Sequence, residues 1–177
     1  MSITELLNNY KNSFNKRTES FVKECVSYGM TESDAKKYAK QKIASGVNVK
    51  NIPTIDTTKQ RTVSTQLKER FAYAGSWKDI GEHFLDPEQI DLLVKKPKFK
   101  KWIKSMRENW ENSAPWLYSD DKLSVISVSN ENDGGFTLLV WIDETKEPEV
   151  WRYSGQCEQK FSDLFHWLQW LNSYSVL

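Results

Sequence analysis

Histidine and cysteine, the side chains most often used for metal binding and nucleophilic catalysis, are rare in this chain. Its only histidines are His83 and His166, and neither is followed by a second histidine or cysteine three or four residues later. The two cysteines, Cys25 and Cys157, are isolated, and nothing beside Cys157 except Glu158 could affect its reactivity. We therefore expect two partly buried imidazoles and two free thiols, with no catalytic residue and no metal ligand.

Motifs of nucleotide binding and acyl transfer are also absent. The chain contains no G-x-G-x-x-G, no P-loop and no G-x-S-x-G sequence. We therefore expect no cofactor, and an enzyme without a recognisable motif is only the third of three functional hypotheses.

Acidic side chains cluster at the ends of the predicted strands in the last third of the chain. They do not have the spacing or the glycine position of an EF-hand loop, and a soluble β-meander commonly carries acids in its hairpins. Carboxylate catalysis and metal binding are thus the less favoured interpretations. The residues in question are Asp120, Asp121, Asp133, Asp143, Glu144, Glu147 and Glu149.

A second charged group is basic and lies on a predicted helix. Its aromatic neighbours, Phe99, Trp102 and Trp110, follow the apolar period of that helix, which favours a solvated face opposite a core stripe. The alternative is a nucleic-acid patch, because lysine clusters release counterions when they contact phosphates. The patch would comprise Lys95, Lys96, Lys98, Lys100, Lys101, Lys104 and Arg107.

Three aromatic residues lie among the acids on the predicted strands. They either face the core or anchor a protein interface, where aromatic side chains ringed by charge are favoured. The second interpretation predicts a surface that binds a basic protein partner. Its residues would be Trp141, Asp143, Glu144, Glu147, Glu149, Trp151 and Tyr153.

The elements that position these side chains are clearest in the C-terminal third. Residues 123–129, 136–142 and 149–153 have the composition of strands, and two hairpin-length connections make them an antiparallel meander. Apolar residues on both sides of the second strand predict a strand covered on both faces. From Glu158 the apolar period changes to that of a helix, which should pack on the sheet.

The N-terminal half has mainly helical patterns. We expect helices over residues 3–28, 31–44, 65–74 and 77–85, another that Asp86 and Pro87 open, and one after Pro97. Residues 47–62 have no clear period and are expected to be a linker or loop. The predicted fold class is α+β: a helical extension over 1–60, then a domain over 61–177 with a sheet at about 122–154 and a closing helix at about 158–172.

The charge is distributed unevenly along the chain. Residues 1–112 carry 21 basic and 14 acidic side chains, whereas residues 113–177 carry 4 and 10. No stretch approaches the ~20 apolar residues of a membrane span, and the N-terminus lacks the pattern of a signal peptide. We therefore expect a cytoplasmic protein.

The segments 123–128, 136–142, 149–153 and 161–168 together resemble the end of SUKH-superfamily proteins. The shared pattern is a set of strands that carry tryptophan, followed by a closing helix with paired aromatic residues, and it covers about a third of the chain. The resemblance implies an α+β fold and a binding scaffold rather than an enzyme, since many bacterial members are immunity proteins that neutralise toxins. The leading hypothesis is thus a non-enzymatic protein-binding module.

Overall fold

A computed structural model of the chain describes residues 1–130, 134–143 and 146–174, with the backbone alone for Asn130 and Tyr174. The helices in this part of the chain are α1 (Ile3–Asn12), α2 (Phe14–Ser27), α3 (Glu32–Tyr38), α4 (Thr65–Tyr73), α5 (Pro87–Lys95), α6 (Pro97–Asn109), α7 (Ala114–Leu117) and α8 (Leu164–Tyr174). A 3₁₀ turn, Asp120–Lys122, precedes the central strands. The predicted α+β class is confirmed.

The strands form one large antiparallel sheet and one small hairpin. The strands are β1 (Lys42–Ile43), β2 (Asn51–Pro53), β3 (Gln60–Thr62), β4 (Trp77–Lys78), β5 (His83–Phe84), β6 (Leu123–Asn130), β7 (Gly135–Val140), β8 (Glu149–Ser154) and β9 (Cys157–Phe161). In the described residues the large sheet has the order β1-β4-β5-β6-β7-β8-β9, and every pairing in it is antiparallel. The predicted meander is the centre of this sheet.

Helices cover both faces of the central strands. One buried cluster joins the sheet to α1, α4 and α8 and contains Leu139 and Trp141 of the β7 region. The other joins it to α5, α6 and α7 and contains Leu138 and Val140. This alternation along β7 agrees with the prediction that the strand is covered on both faces.

The first helix belongs to the main core. Ile3, Leu6, Leu7 and Tyr10 are buried in the same cluster as Trp167 of α8. The side chain of Asn172 on α8 also donates a hydrogen bond to the carbonyl of Leu6 at 3.1 Å. The predicted boundary at residue 60 is therefore crossed by one continuous hydrophobic cluster.

Several predicted elements differ from those observed. The helix expected over 3–28 is interrupted at Ser13, whose hydroxyl donates to the carbonyl of Tyr10 at 2.9 Å. The helix expected over 31–44 ends at Tyr38, and the expected linker over 47–62 contains the β2–β3 hairpin.

Two segments expected to be helical are strands. Residues 77–85 form the β4–β5 hairpin, whose turn includes Gly81 with φ of +78°. Residues 157–161 form the edge strand β9 before α8 begins at Leu164. The two-residue strands β4 and β5 are too short to establish a period of two in the sequence, and β9 shows no alternation of apolar and polar residues.

Candidate functional site

The three aromatic residues of the predicted binding surface are buried. Trp141 donates its indole N–H to Ser124 at 3.1 Å, and the Tyr153 hydroxyl accepts from the backbone N–H of Ala114 at 2.8 Å. The Trp151 ring lies below the ammonium of Lys160, 3.7 Å from its centroid. These aromatic side chains therefore lie in the hydrophobic core and do not form an exposed surface. This is the first of the two interpretations that the sequence allowed.

The acids of that surface serve the fold in two cases. Glu147 accepts from the backbone N–H of Gln66 at 3.1 Å, in the first turn of α4, and Glu149 accepts from the indole of Trp151 at 2.8 Å. Asp143 is exposed, and Glu144 lies outside the described residues. The structure thus does not bring the predicted residues together as one accessible acidic aromatic face.

The predicted basic patch is exposed over its whole length. Its residues are Lys95, Lys96, Lys98, Lys100, Lys101, Lys104 and Arg107, all with exposed side chains. The opposite side of α6 buries Phe99, Ile103 and Met106. Arg107 pairs with Asp120 at 2.7 Å, so part of the positive charge is neutralised within the protein.

The histidines and cysteines do not assemble into a reactive centre in the described residues. His166 is exposed and contacts Asp163 at 2.6 Å and Ser162 at 2.8 Å. Cys157 is an exposed free thiol and Cys25 a half-buried one. Among the described residues, no group of three or more histidine, cysteine, aspartate or glutamate side chains is arranged to hold a metal ion.

A cavity lies between α2, the β4–β5 turn and α8, and we refer to it as the α2–α8 cleft. Its volume is about 530 Å³, within the range of ligand sites in proteins. The walls combine charged and apolar side chains from distant parts of the sequence, among them Arg17, Phe21, Glu82, Arg152 and Trp170.

The first charged pair of the cleft joins α2 to the sheet. Both Nη atoms of Arg17 donate to the carboxylate of Asp79, and Nη2 also donates to the carbonyl of Tyr10 at 2.8 Å. The guanidinium lies over the Tyr10 ring, 3.9 Å from its centroid. Asp79 accepts further hydrogen bonds from Gln41 at 2.8 Å and from the Trp77 indole at 3.0 Å. These hydrogen bonds offset the cost of removing the two charged groups from water.

The second pair lies three residues further along the same turn. Glu82 is buried, and its Oε1 accepts from Nε of Arg152 at 3.0 Å while its Oε2 accepts from the hydroxyl of Ser127. Burial raises the pKa of the Glu82 carboxyl, and the charge of Arg152 opposes that shift. The guanidinium of Arg152 lies 5.2 Å from the ring centroid of Trp170 on α8.

The residues of this cleft could not be identified as a site from the sequence pattern. The local signal is Gly81 between Asp79 and Glu82, a group of turn-forming and acidic residues inside a segment whose pattern predicts a helix. Arg17 looks like any surface residue of an amphipathic helix, and its acidic partner is 62 residues away. Pairing at that separation depends on the tertiary fold.

An exposed apolar group lies at the end of α2, just beyond the cleft. Val26, Tyr28 and Met30 have exposed fractions of 45%, 83% and 38%, and we call them the α2–α3 tip. Gly29, with φ of +90°, turns the chain between them. The backbone N–H of Met30 donates to the carbonyl of Cys25 at 3.1 Å, so the turn is hydrogen-bonded to the helix end.

Comparison of the chain with protein-family models, with curated proteins and with solved structures found no significant match. None of the helices that the structure describes has both the length and the apolar character needed to cross a membrane.

Proposed function

We propose that the chain is a non-enzymatic protein-binding module that contacts its partner through the α2–α3 tip. The observation that carries the proposal is the exposure of Val26, Tyr28 and Met30, three large apolar side chains within five residues. Single exposed apolar residues are ordinary, whereas several of them within one short segment are unusual and favour an interaction surface.

The chemistry of the tip suits an interface anchor. Tyrosine and methionine are enriched in interfaces, and tyrosine is over-represented among the residues that dominate binding energy. The hydrogen bonds of Gly29 and Met30 to the last turn of α2 fix the backbone of the tip. A fixed backbone reduces the entropy that is lost on binding.

This proposal keeps the leading function predicted from the sequence but places the surface elsewhere. The expectation of a basic partner depended on an exposed acidic face, and Glu147 and Glu149 are engaged in the fold. Toxin neutralisation, which the resemblance to the SUKH superfamily implies, is the form of protein binding that we propose.

A quantitative pull-down tests the proposal. The bait is the full chain, either unchanged or carrying Tyr28→Ala and Met30→Ser, and the control variant is Leu92→Ser. Leu92 lies on α5 and is 58% exposed, so the control also removes an exposed apolar side chain. We expect the captured protein to be depleted at least about tenfold by the tip variant, as for the loss of an interface hot spot, and to be unaffected by the control.

Calorimetry with the purified partner then gives the affinity. The proposal is wrong if the tip variant binds as tightly as the unchanged chain, or if Leu92→Ser weakens binding to the same extent.

A second candidate function is nucleic-acid binding through the basic face of α6. It is favoured by the exposure of all seven predicted basic residues. Substitution of Lys100 and Lys101 by Glu should then weaken binding to an RNA or DNA oligonucleotide and lower its salt dependence. The matched control is Lys59→Glu with Lys68→Glu, two exposed lysines elsewhere. Equal effects of the two double variants would reject a specific role for α6.

A further inference from the structure

Arg152 presents unused hydrogen-bond donors at the α2–α8 cleft. Its Nε donates to Glu82 at 3.0 Å, and Nη1 donates to the side-chain oxygen of Gln159 at 3.4 Å. Its Nη2 makes no hydrogen bond to any part of the chain that the structure describes. A guanidinium has five N–H donors. The half-buried Arg152 can therefore donate a hydrogen bond to a ligand and keep its pair with Glu82.

The walls beside Arg152 are apolar. Phe21, Ile80 and Trp170 are each partly exposed where they line the cleft, and Leu171 closes it on the α8 side. A volume of about 530 Å³ accommodates a large side chain together with the main-chain atoms that carry it. The cleft therefore offers an apolar surface next to a fixed donor.

The charges of the cleft favour a neutral hydrogen-bond acceptor over a carboxylate as the ligand group that binds Arg152. Asp79 and Glu82 balance Arg17 and Arg152, and Glu24 adds one more carboxylate at the rim. No net positive charge is left to offset the desolvation of an incoming carboxylate. A neutral carbonyl oxygen, such as that of a peptide group, accepts from Nη2 at no such cost.

We propose that the α2–α8 cleft binds a peptide segment of the protein partner, with a large apolar side chain against Phe21 and Ile80 and a main-chain carbonyl bonded to Arg152. This inference rests on the proposed protein-binding function. Helix α2 joins the cleft to the α2–α3 tip. Ser20, Phe21 and Glu24 of this helix line the cleft, and Val26 and Tyr28 follow at its C-terminal end. A partner bound at the tip lies within reach of the cleft.

The test uses N-acetyl-tryptophanamide as a neutral probe that carries both an aromatic side chain and peptide carbonyls. It is titrated into the ¹⁵N-labelled full chain and followed by NMR. We expect shifts of the Ile80 and Gly81 amides and of the Arg152 Nε–H, with a dissociation constant on the order of 1 mM, as for a fragment of this size. N-acetyl-tryptophan, which carries a carboxylate instead, should bind more weakly.

Two variants separate the cleft from other surfaces. Arg152→Lys keeps the charge but removes the planar donors, and we expect about a tenfold loss of affinity, as for a hydrogen bond to a charged group. Ser20→Trp places a large ring at the exposed rim and should block the probe even if Arg152→Lys perturbs folding. Arg107→Lys, at another arginine–carboxylate pair, is the control and should leave the affinity unchanged.

Three results would overturn the inference: shifts confined to residues outside the cleft, tighter binding of the carboxylate probe, or unaltered binding by Ser20→Trp. The outcome is separable from that of the proposed function. If the tip variant loses the partner while the probe does not bind the cleft, the protein-binding function stands and this inference fails.

Discussion

At the scale of single residues, the buried pair of Arg17 and Asp79 links the N-terminal helix α2 to the β4–β5 turn. Arg17 is the only charged side chain buried on α2, and it forms three of its hydrogen bonds with Asp79 and Tyr10. Removing one member of such a pair leaves the other charge buried without its partner.

We therefore expect Arg17→Ala to lower the free energy of unfolding by about 3–5 kcal/mol. Urea denaturation measures the loss, and Lys16→Ala, at an exposed neighbour on the same helix, serves as the control. A loss below about 1 kcal/mol, the level of an exposed ion pair, would contradict this role.

The buried tyrosines predict a dependence of stability on alkaline pH. Burial is the main cause that raises the pKa of Tyr10 and of Tyr153 above the ordinary value. A phenol with a higher pKa in the folded chain stabilises the fold while both states are protonated. That stabilisation is lost as the pH rises above about 10, where the unfolded chain ionises first.

Burial lowers the pKa of the Arg70 guanidinium to about 9, which acts in the opposite direction. The decisive quantity is therefore the difference between the unchanged chain and Tyr10→Phe. We expect stability to fall less steeply between about pH 9 and pH 11 in the variant, because it lacks one ionising phenol. Urea midpoints at a series of pH values measure this difference, and parallel curves would refute the assignment to Tyr10.

Residue-level prediction from the sequence succeeded for periodic positions and failed for paired ones. The alternation of Leu138, Leu139 and Val140 between the two faces of β7 follows from the geometry of a strand. The burial of Trp151 could not be decided, because a strand period does not show whether helices cover a given face. The pairing of Arg152 with Glu82 spans 70 residues and has no local signal.

At the scale of elements, Gly46 controls the contact between the segment before β2 and α4. A Cβ at Gly46 would overlap the carbonyl oxygen of Ala72. The neighbouring backbone is held there, since the N–H of Val47 donates to Phe71 at 2.8 Å and that of Gly75 donates to Ser45 at 2.9 Å. These two hydrogen bonds therefore hold the backbone around Gly46 close to the end of α4.

We expect Gly46→Ala to destabilise the protein by about 2–3 kcal/mol, because the overlap can be relieved only by moving backbone. Gly155→Ala is the matched control: its φ is +59° but nothing lies within 4 Å of its Cβ position, so only about 1 kcal/mol of backbone strain is expected. The urea midpoints of both variants measure the difference. A smaller effect at Gly46 than at Gly155 would contradict the steric explanation.

Elements with strong end signals could be predicted from the sequence, whereas short ones could not. Asp86 caps α5 and accepts from the backbone N–H of Gln89 at 2.8 Å, with Pro87 in the first turn as expected. By contrast, β4 and β5 are two residues each and are strands because they pair with neighbours in the sheet. A local stretch of sequence does not contain these pairing partners, so its pattern predicts a helix instead.

At the scale of the whole molecule, the first helix is part of the core rather than an appendage. Leu6, Leu7 and Tyr10 are buried with Trp77 and Trp167 in one cluster. The apolar stripe of α1 was visible in the sequence, but the surface that it covers could not be identified without the fold.

We therefore expect a chain that starts at residue 61 to lack cooperative unfolding, because it would expose the face of the sheet that α1 covers. Circular dichroism on heating, compared with the full chain, measures this. A sharp transition in the shortened chain, at a temperature close to that of the full chain, would show that residues 61–177 fold independently.

The central claim is that the α2–α3 tip contacts a protein partner, and site-specific photocrosslinking tests it most directly. Benzoyl-phenylalanine replaces Tyr28 in one variant and the exposed control residue Leu92 in the other. Both variants are irradiated in cells that naturally produce the protein. The account predicts one dominant crosslinked protein from position 28 and none of that mass from position 92. No adduct at position 28, or the same adduct from both positions, would contradict it.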